Sequence, residues 1–176
     1  ELMREIKRFE KNEAVQGVLI QVPLYEHLYK DTNAILNALA PEKDADGLTA
    51  VQLGKTSHLL QGSIPTAAVE AVLEALNAVL TEDYTWDRIT ESKSQQLNYL
   101  SGKEVAIINN TNLVGKPLAA VLTSLEATVK VYNRTSENVA EQLHSADIVI
   151  TATNQTNLFT HEHIKEGAVL IDITSV

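Results

Sequence analysis

The sequence predicts a protein of the α/β class whose second half forms a parallel β-sheet. Short apolar runs rich in β-branched residues alternate with helical segments between residues 102 and 176. Such alternation is typical of βαβ units with right-handed crossovers. The first half places one further apolar run, residues 17–22, among amphipathic helices. A polar stretch at residues 81–101 separates the halves and marks a candidate domain boundary.

In the first half, the spacing of apolar residues predicts a series of helices around one strand. An amphipathic helix is expected over residues 1–13. The run at residues 17–22 predicts a buried parallel strand that Pro23 ends. The elements expected after it are a helix from Asp31 or Thr32 to about Ala40, a loop with a short helix over residues 41–63, and a long helix from Pro65.

In the second half, the same patterns predict four strands and three helices. The strands are expected at residues 105–108, 128–132, 147–151 and 168–173. The helices are expected at residues 115–126, 136–144 and 161–165.

The composition excludes several classes of function. The chain has 176 residues, 44% of them hydrophobic, and a formal net charge of −9, which argues against nucleic acid as a partner. It has no cysteine, so disulfides are excluded and a reducing cytoplasm is compatible. No apolar run has the roughly 18 residues that span a bilayer. The histidines show no metal-binding spacing, so no metal is expected.

The segment after the strand at residues 105–108 is a candidate phosphate-binding turn. A turn from a strand into a helix aims backbone N–H groups at a phosphate in dinucleotide-binding domains. Gly115 allows close approach of the backbone, and Pro117 suits a first helical turn. Asn109 and Asn110 stand where glycine is usual, and asparagine tolerates positive φ. An ordinary βα turn remains the alternative.

Arg134 is the candidate that selects between the two nicotinamide cofactors. It follows Gly115 by 19 residues at the end of the next strand. An acidic residue near this position binds a ribose 2′-hydroxyl, whereas an arginine accepts a 2′-phosphate. The sequence therefore favours NADP over NAD, with a solvated surface cation as the alternative.

Two polar features of the first half are candidate substrate contacts. Asp44 and Asp46 lie in a loop before Gly47, where they are either ligands for amino groups or simple turn residues, and spacing alone favours the turn. Gln21 lies at the end of an apolar strand, so its amide is either a satisfied core group or part of an active site.

Four stretches of the chain, taken together and in order, resemble the FolD family of bifunctional methylenetetrahydrofolate dehydrogenases/methenyltetrahydrofolate cyclohydrolases. The stretches are Gly17–Leu24 (GVLIQVPL), Pro41–Gly47 (PEKDADG), Asn112–Leu118 (NLVGKPL) and Ile164–Asp172 (IKEGAVLID). The resemblance covers essentially the whole chain apart from the polar stretch.

The resemblance implies two α/β domains with a cleft between them, the second a Rossmann-like parallel sheet. Residues 1–82 then form the folate-binding domain, residues 83–101 a linker and residues 102–176 the NADP-binding domain. The site residues implied are Gln21 and Asp46 as catalytic groups, Gln21, Pro23, Asp46 and Gly47 as substrate contacts, and Asn109, Asn110, Thr111, Gly115 and Arg134 as cofactor contacts.

The resemblance also implies the reaction. Methylenetetrahydrofolate is oxidised with NADP, or with NAD as the alternative, and the methenyl product is hydrolysed to formyltetrahydrofolate. The family's catalytic lysine belongs to a Tyr-x-x-x-Lys motif that we expect upstream of residue 1, so these 176 residues alone should turn over little substrate. A cytoplasmic homodimer that serves purine biosynthesis is expected.

The chain departs from the family at the cofactor turn. Asn109, Asn110 and Thr111 replace Gly-Arg-Ser, which removes an arginine that contacts the 2′-phosphate, and Arg134 is the candidate to compensate. A degenerate relative that has lost one or both activities and only binds folate or a nucleotide is therefore an alternative. An unrelated Rossmann dehydrogenase, for example of shikimate type, is a third hypothesis.

Overall fold

The second half of the chain folds around one parallel sheet, as predicted. The computed structural model describes residues 1–80 and 99–174, so the expected linker lies outside the described residues except for 99–101. The strands are β1 (Glu104–Ile108), β2 (Thr128–Tyr132), β3 (Ile148–Thr151) and β4 (Val169–Asp172). Their order is β2-β1-β3-β4, and all three pairings are parallel.

Six α-helices are described, and their bounds follow the predicted ones to within a few residues in most cases. They are α1 (Leu2–Glu10), α2 (Thr32–Leu36), α3 (Ala50–Ser57), α4 (Ala67–Leu80), α5 (Gly115–Ser124) and α6 (Val139–Gln142). Short 3₁₀ helices occupy Glu26–Asp31, Pro41–Lys43, Leu143–Ser145 and His161–His163. The helix expected to reach Ala40 ends at Leu36, and the one expected at 161–165 is only a 3₁₀ turn. Within the described ranges, no helix has the length and apolar character needed to cross a membrane.

Both faces of the sheet are covered at its two central strands, which explains why β1 and β3 are almost continuously apolar. On one face, α4 and α5 pack against the sheet through side chains with no exposed surface, among them Leu76, Ile107 and Leu122. On the other face, Leu143 and Val149 belong to a second cluster with α6 nearby. Helix α4 precedes the expected domain boundary in sequence and yet shares the core of the sheet.

The strand expected at residues 17–22 is not formed, and this prediction is wrong. Val18 pairs with Asp44 in a single parallel bridge. The Val18 N–H donates to the Lys43 carbonyl at 2.7 Å, and the Ala45 N–H donates to the Val18 carbonyl at 3.2 Å. A β-strand forms only beside another extended segment of several residues, with which it shares backbone hydrogen bonds. The partner segment here follows a 3₁₀ turn and bends away at Gly47, where φ is +66°.

Charged side chains pair at the end of the sheet where the strands begin. Glu104 accepts from Lys130 at 3.0 Å and from Ser145 at 2.6 Å. Asp147 accepts from Lys165 at 2.6 Å and from the Glu104 N–H at 2.9 Å. Two hydrogen bonds lower the pKa of Asp147 below 3.8. The one from Lys165 has the larger effect, and the one from the Glu104 N–H has the smaller effect. Hydrogen bonds and ion pairs between side chains therefore stabilise the end of the sheet where the strands begin.

Replacing Asp147 with asparagine should lower stability only where the carboxylate is ionised. A folded-state pKa below the unfolded value contributes stability that is present above about pH 4 and lost as pH falls through the folded value. We expect Asp147→Asn to cost about 1 kcal/mol or less at neutral pH, because the ion pair with Lys165 is partly exposed. Urea denaturation at pH 7 and pH 3 measures the difference, which should be smaller at pH 3 than at pH 7. Exposed Glu13→Gln is the control, and an equal loss at both pH values would contradict the ionic origin.

Candidate functional site

A cavity opens at the edge of the sheet where the strands end, beside the point at which the strand order reverses. From β1 the chain goes to β2 on one side, and β3 lies on the other. Ligands of open α/β sheets bind at this topological switch point. The cavity has a volume of about 250 Å³. Its lining includes Asn109, Asn110 and Thr111 after β1, Asn133 and Arg134 after β2, and Ala152 and Thr153 after β3.

The structure thus brings together four of the five predicted cofactor residues. Asn109, Asn110, Thr111 and Arg134 all line this cavity. The fifth, Gly115, is the first residue of α5 and is buried beneath the turn. A Cβ atom at Gly115 would lie 1.9 Å from the Asn109 carbonyl oxygen. The glycine is therefore required by the close approach of the helix to the end of β1.

Asn109 connects the three elements that meet at this edge. Its Nδ2 donates to the Ala152 carbonyl at 2.6 Å, which ties the end of β1 to the end of β3. Its Oδ1 accepts from the Thr111 N–H and hydroxyl, both at 2.8 Å, and from the Gly115 N–H at 3.1 Å. The hydrogen bonds of the Asn109 side chain therefore fix this turn. The sequence predicts a different cause, which is that asparagine tolerates a positive φ.

Arg134 supplies the positive charge of the cavity. It is exposed, and among the residues that the structure describes it forms no ion pair. A guanidinium in the lining of a cavity is suited to bind a phosphate group. Exposure without an ion pair fits both the predicted cofactor contact and the solvated-cation alternative.

A larger adjoining cavity of about 670 Å³ lies over the ends of β3 and β4. It shares Thr153, Gln155 and Leu158 with the first cavity. Sequence reasoning missed this cavity, because threonine, asparagine and glutamine in a loop carry little signal by themselves. Only their position could have pointed to a site, because they follow the ends of predicted parallel strands.

Asp172 lines the larger cavity and fixes the backbone next to it by hydrogen bonds. Its Oδ1 accepts from the Thr174 and Thr151 hydroxyls, the latter at 2.7 Å, and from the Thr174 N–H at 3.0 Å. The bonds from Thr174, and then that from Thr151, lower the pKa of Asp172 below 3.8. The carboxylate therefore stays ionised and anchors the chain after β4.

Asp44 and Asp46 have different roles, which the sequence alone did not separate. Asp44 is buried and accepts from the Thr49 N–H at 2.7 Å and from the Asp46 N–H at 3.3 Å. Within the described residues, the Asp46 carboxylate accepts no hydrogen bond, and its pKa is raised above 3.8 by burial and then by the charge of Asp44. A desolvated carboxylate without a donor is a candidate ligand-binding group.

Gly47 fixes the shape of the loop that carries Asp46. Its φ is +66°, and a Cβ atom there would lie 2.3 Å from the Ile64 carbonyl oxygen. Any other residue at this position would be both strained and in collision with the segment before α4.

Gln21 is exposed, so the expectation of an amide at a buried strand end is wrong. Its Nε2 donates to the Val22 carbonyl at 3.1 Å. With Pro23 it lines a mainly apolar groove of about 560 Å³ beside α1. Asp46 and Gly47 are not part of this groove, and none of these four residues lines the cavity of about 250 Å³ at the edge of the sheet. The bridge between Val18 and Asp44 is nevertheless parallel, so both segments leave it in the same direction. Gln21 and Asp46 therefore both follow the bridge on its C-terminal side.

The two halves of the chain contact each other through α3 and α5. The Ser124 hydroxyl donates to the Ser57 carbonyl at 2.6 Å, and the Thr66 hydroxyl donates to the Leu113 carbonyl at 3.1 Å. A cavity of about 410 Å³ lies between them, lined by Asn37 and Leu53 on one side and Lys116 on the other, among others. The two halves therefore enclose a cavity, but none of the predicted site residues lines it.

An open parallel sheet with a cavity at its switch point is typical of nucleotide-binding α/β proteins. Residues 88–175 match the NAD(P)-binding domain of tetrahydrofolate dehydrogenase/cyclohydrolase, and residues 1–46 match the catalytic domain of the same enzymes. The chain belongs to the tetrahydrofolate dehydrogenase/cyclohydrolase family.

Similar proteins agree with this assignment. The bifunctional protein FolD of Nautilia profundicola is 34% identical over 98% of this chain and 54% of its own length. FolD 2 of Lactobacillus johnsonii is 32% identical with the same coverage. The FolD structure from Trypanosoma brucei, complexed with NADP and an inhibitor, has a TM-score of 0.82 at 30% identity and covers 99% of this chain and 54% of that one. The chain thus spans about half the length of the relatives it matches.

Proposed function

We propose that this chain is part of an enzyme that oxidises methylenetetrahydrofolate with NADP and hydrolyses the methenyltetrahydrofolate formed to formyltetrahydrofolate. Family membership supports the reaction class. The observation that carries the proposal for this chain is the meeting of Asn109, Asn110, Thr111 and Arg134 around one cavity at the carboxyl edge of the sheet. Retention of a binding cavity and an unpaired cation favours an active cofactor site over a degenerate one.

The residues of the cavity fit a phosphorylated dinucleotide. Arg134 would hold the 2′-phosphate, which makes NADP the preferred cofactor and NAD the weaker alternative. Asn109 and Gly115 shape the turn between β1 and α5, and Asn110 and Thr111 would contact the cofactor from that turn. A bound NADP would supply the acceptor for the hydride of the folate carbon. The contribution of the chain to that step is mainly positioning.

Asp46 and Gln21 are the proposed folate-side residues. The Asp46 carboxylate would accept hydrogen bonds from amino and ring N–H groups of the pterin, which relieves its desolvation. Gln21 would orient the lysine that serves as general base in the hydrolysis, by an amide contact that adds no charge. Pro23 and Gly47 would shape the backbone next to these two side chains.

Three further proposals rest on family membership alone. The protein is proposed to be a homodimer and to act in the cytoplasm. Its formyltetrahydrofolate product is proposed to supply purine biosynthesis.

Replacing Arg134 with alanine should remove the preference for NADP. We expect NADP to bind the wild-type protein more tightly than NAD, and Arg134→Ala to lower the affinity for NADP by about 10- to 100-fold, which corresponds to a charge-assisted hydrogen bond. The affinity for NAD should change little. Calorimetric titration of both cofactors measures the ratio.

Arg8→Ala is the matched control for this experiment, because it removes the same charge from α1. Its ratio of NADP to NAD affinity should equal that of the wild type. If Arg134→Ala leaves the ratio unchanged, Arg134 does not bind the 2′-phosphate. If the full protein forms no NADPH from methylenetetrahydrofolate, the proposed reaction is wrong.

A further inference from the structure

The backbone donors at the start of α5 are already occupied by the protein. In a dinucleotide-binding turn, the N–H groups at the beginning of this helix face a phosphate oxygen. Here the N–H groups of Thr111 and Gly115 both donate to Asn109 Oδ1, at 2.8 and 3.1 Å. The Val114 N–H donates to the Thr111 hydroxyl at 3.3 Å, and that hydroxyl donates to Asn109 Oδ1. One amide oxygen therefore receives two backbone N–H groups of this turn directly and a third through the Thr111 hydroxyl.

The space between the strand end and the helix is closed as well. A single Cβ atom at Gly115 would lie 1.9 Å from the Asn109 carbonyl oxygen and 2.8 Å from the Asn110 nitrogen. No ligand atom fits between these backbone segments. The Asn109 side chain also lies against the start of α5, because its Oδ1 accepts from the Gly115 N–H.

Moving the Asn109 side chain away is costly, because the amide is held at both ends. Its Nδ2 donates to the Ala152 carbonyl at 2.6 Å, so rotation breaks that bond together with the three bonds to Oδ1. Each bond that is not replaced reduces the affinity for the incoming group.

We propose that the Asn109 carboxamide occupies the diphosphate position at the N-terminus of α5, so that it limits the affinity of the site for any ligand held there. This rests on the proposed cofactor function and adds an affinity-determining residue to it. The site would then bind NADP chiefly through the 2′-phosphate at Arg134. A ligand that lacks a diphosphate would bind without displacing Asn109.

Removal of the amide should tighten diphosphate binding. We expect Asn109→Ala and Asn109→Gly to bind NADP and inorganic pyrophosphate about tenfold more tightly than the wild type, equivalent to the one or two of these hydrogen bonds that an incoming diphosphate would not replace. Adenosine 2′,5′-bisphosphate, which carries the 2′-phosphate but no diphosphate, should bind all three proteins equally. Titration calorimetry measures the affinities, and circular dichroism establishes that each variant is folded. Two variants are used because the turn tolerates alanine and glycine to different extents.

Asn12→Ala is the matched control. The Asn12 side chain accepts a backbone N–H two residues ahead, from Ala14 at 3.0 Å, in the same way as Asn109 but in the first half of the chain. Its affinities should equal those of the wild type. Weaker or unchanged binding of both NADP and pyrophosphate by the folded Asn109 variants would overturn the inference and make Asn109 a direct ligand or a spectator. If NADP binds none of the proteins, the proposed function fails, and pyrophosphate alone then decides the role of Asn109.

Discussion

Replacing Gly115 with alanine should destabilise the protein by about 3 kcal/mol or more and abolish cofactor binding. The added methyl group would overlap the backbone of Asn109, with its Cβ 1.9 Å from the carbonyl oxygen and 2.4 Å from the carbonyl carbon. Backbone atoms of a buried strand end cannot move aside as a flexible side chain can. The start of α5 must therefore shift away from β1, and the turn that lines the cofactor cavity shifts with it.

Gly54 provides the control for this prediction. It lies inside α3, and a Cβ atom there would have no neighbour within 4 Å. Gly54→Ala should stabilise the protein by about 0.5–1 kcal/mol, because alanine favours the helix. Urea denaturation followed by circular dichroism measures both variants, and NADP titration measures cofactor binding. An alanine at position 115 without effect on either measurement would contradict the packing at the turn.

Replacing Asp46 with asparagine should separate ligand binding from stability. We expect folate affinity to fall by about 10- to 100-fold, because charge-assisted hydrogen bonds to the substrate are replaced by neutral ones. NADP affinity should be unchanged, since Asp46 is not part of the cofactor cavity. Calorimetric titration with tetrahydrofolate and with NADP measures the two affinities. Unchanged folate affinity would remove Asp46 from the site.

The same substitution should not lower stability at neutral pH. Burial and the charge of Asp44 raise the pKa of Asp46 above 3.8 in the folded state. The folded protein therefore binds a proton more readily than the unfolded chain, and its stability falls as pH rises from about 4 through the folded pKa. Asparagine carries no such charge, so Asp46→Asn should be at least as stable as the wild type at pH 7. The two should be equal below about pH 4.

Asp44→Asn is the matched variant, with the opposite expectation. The buried Asp44 carboxylate accepts two backbone N–H groups, from Thr49 and Asp46. We expect its replacement to cost about 1–3 kcal/mol, because one buried donor loses its charged acceptor. Equal effects of Asp44→Asn and Asp46→Asn on stability would contradict the different roles of the two carboxylates in the loop.

Much of the second half could be predicted from the sequence. Residues 128–132 form a strand with the predicted bounds, and the other three strands begin or end within one residue of expectation. This succeeds because strands buried on both faces require continuous apolar runs, such as Ile148–Ile150, between helical segments. The meeting of four proposed cofactor residues around one cavity could be predicted for the same reason, since strand ends of a parallel sheet meet at one edge.

The first half was harder to predict. Residues 17–22 have the composition of a buried strand, but Leu19 is 58% exposed and only Val18 is paired. A strand depends on its partner, which composition does not reveal. The difference between Asp44 and Asp46 depends on which carboxylate meets the Thr49 N–H, and two acids one residue apart look alike in sequence. The network of Asp172 with Thr151 and Thr174 joins strand ends that are 21 residues apart, so only the fold brings it together.

Helix α4 has a consequence for any attempt to dissect the molecule. It lies between the two segments that match the family's domains, at residues 1–46 and 88–175, yet Val69, Val72, Leu73 and Leu76 are buried in the core of the sheet. Cutting the chain after this helix would strip those four side chains from the second half and leave an apolar surface in water, a cause of aggregation. A shorter nucleotide-binding piece should therefore start before residue 67, with the helix attached.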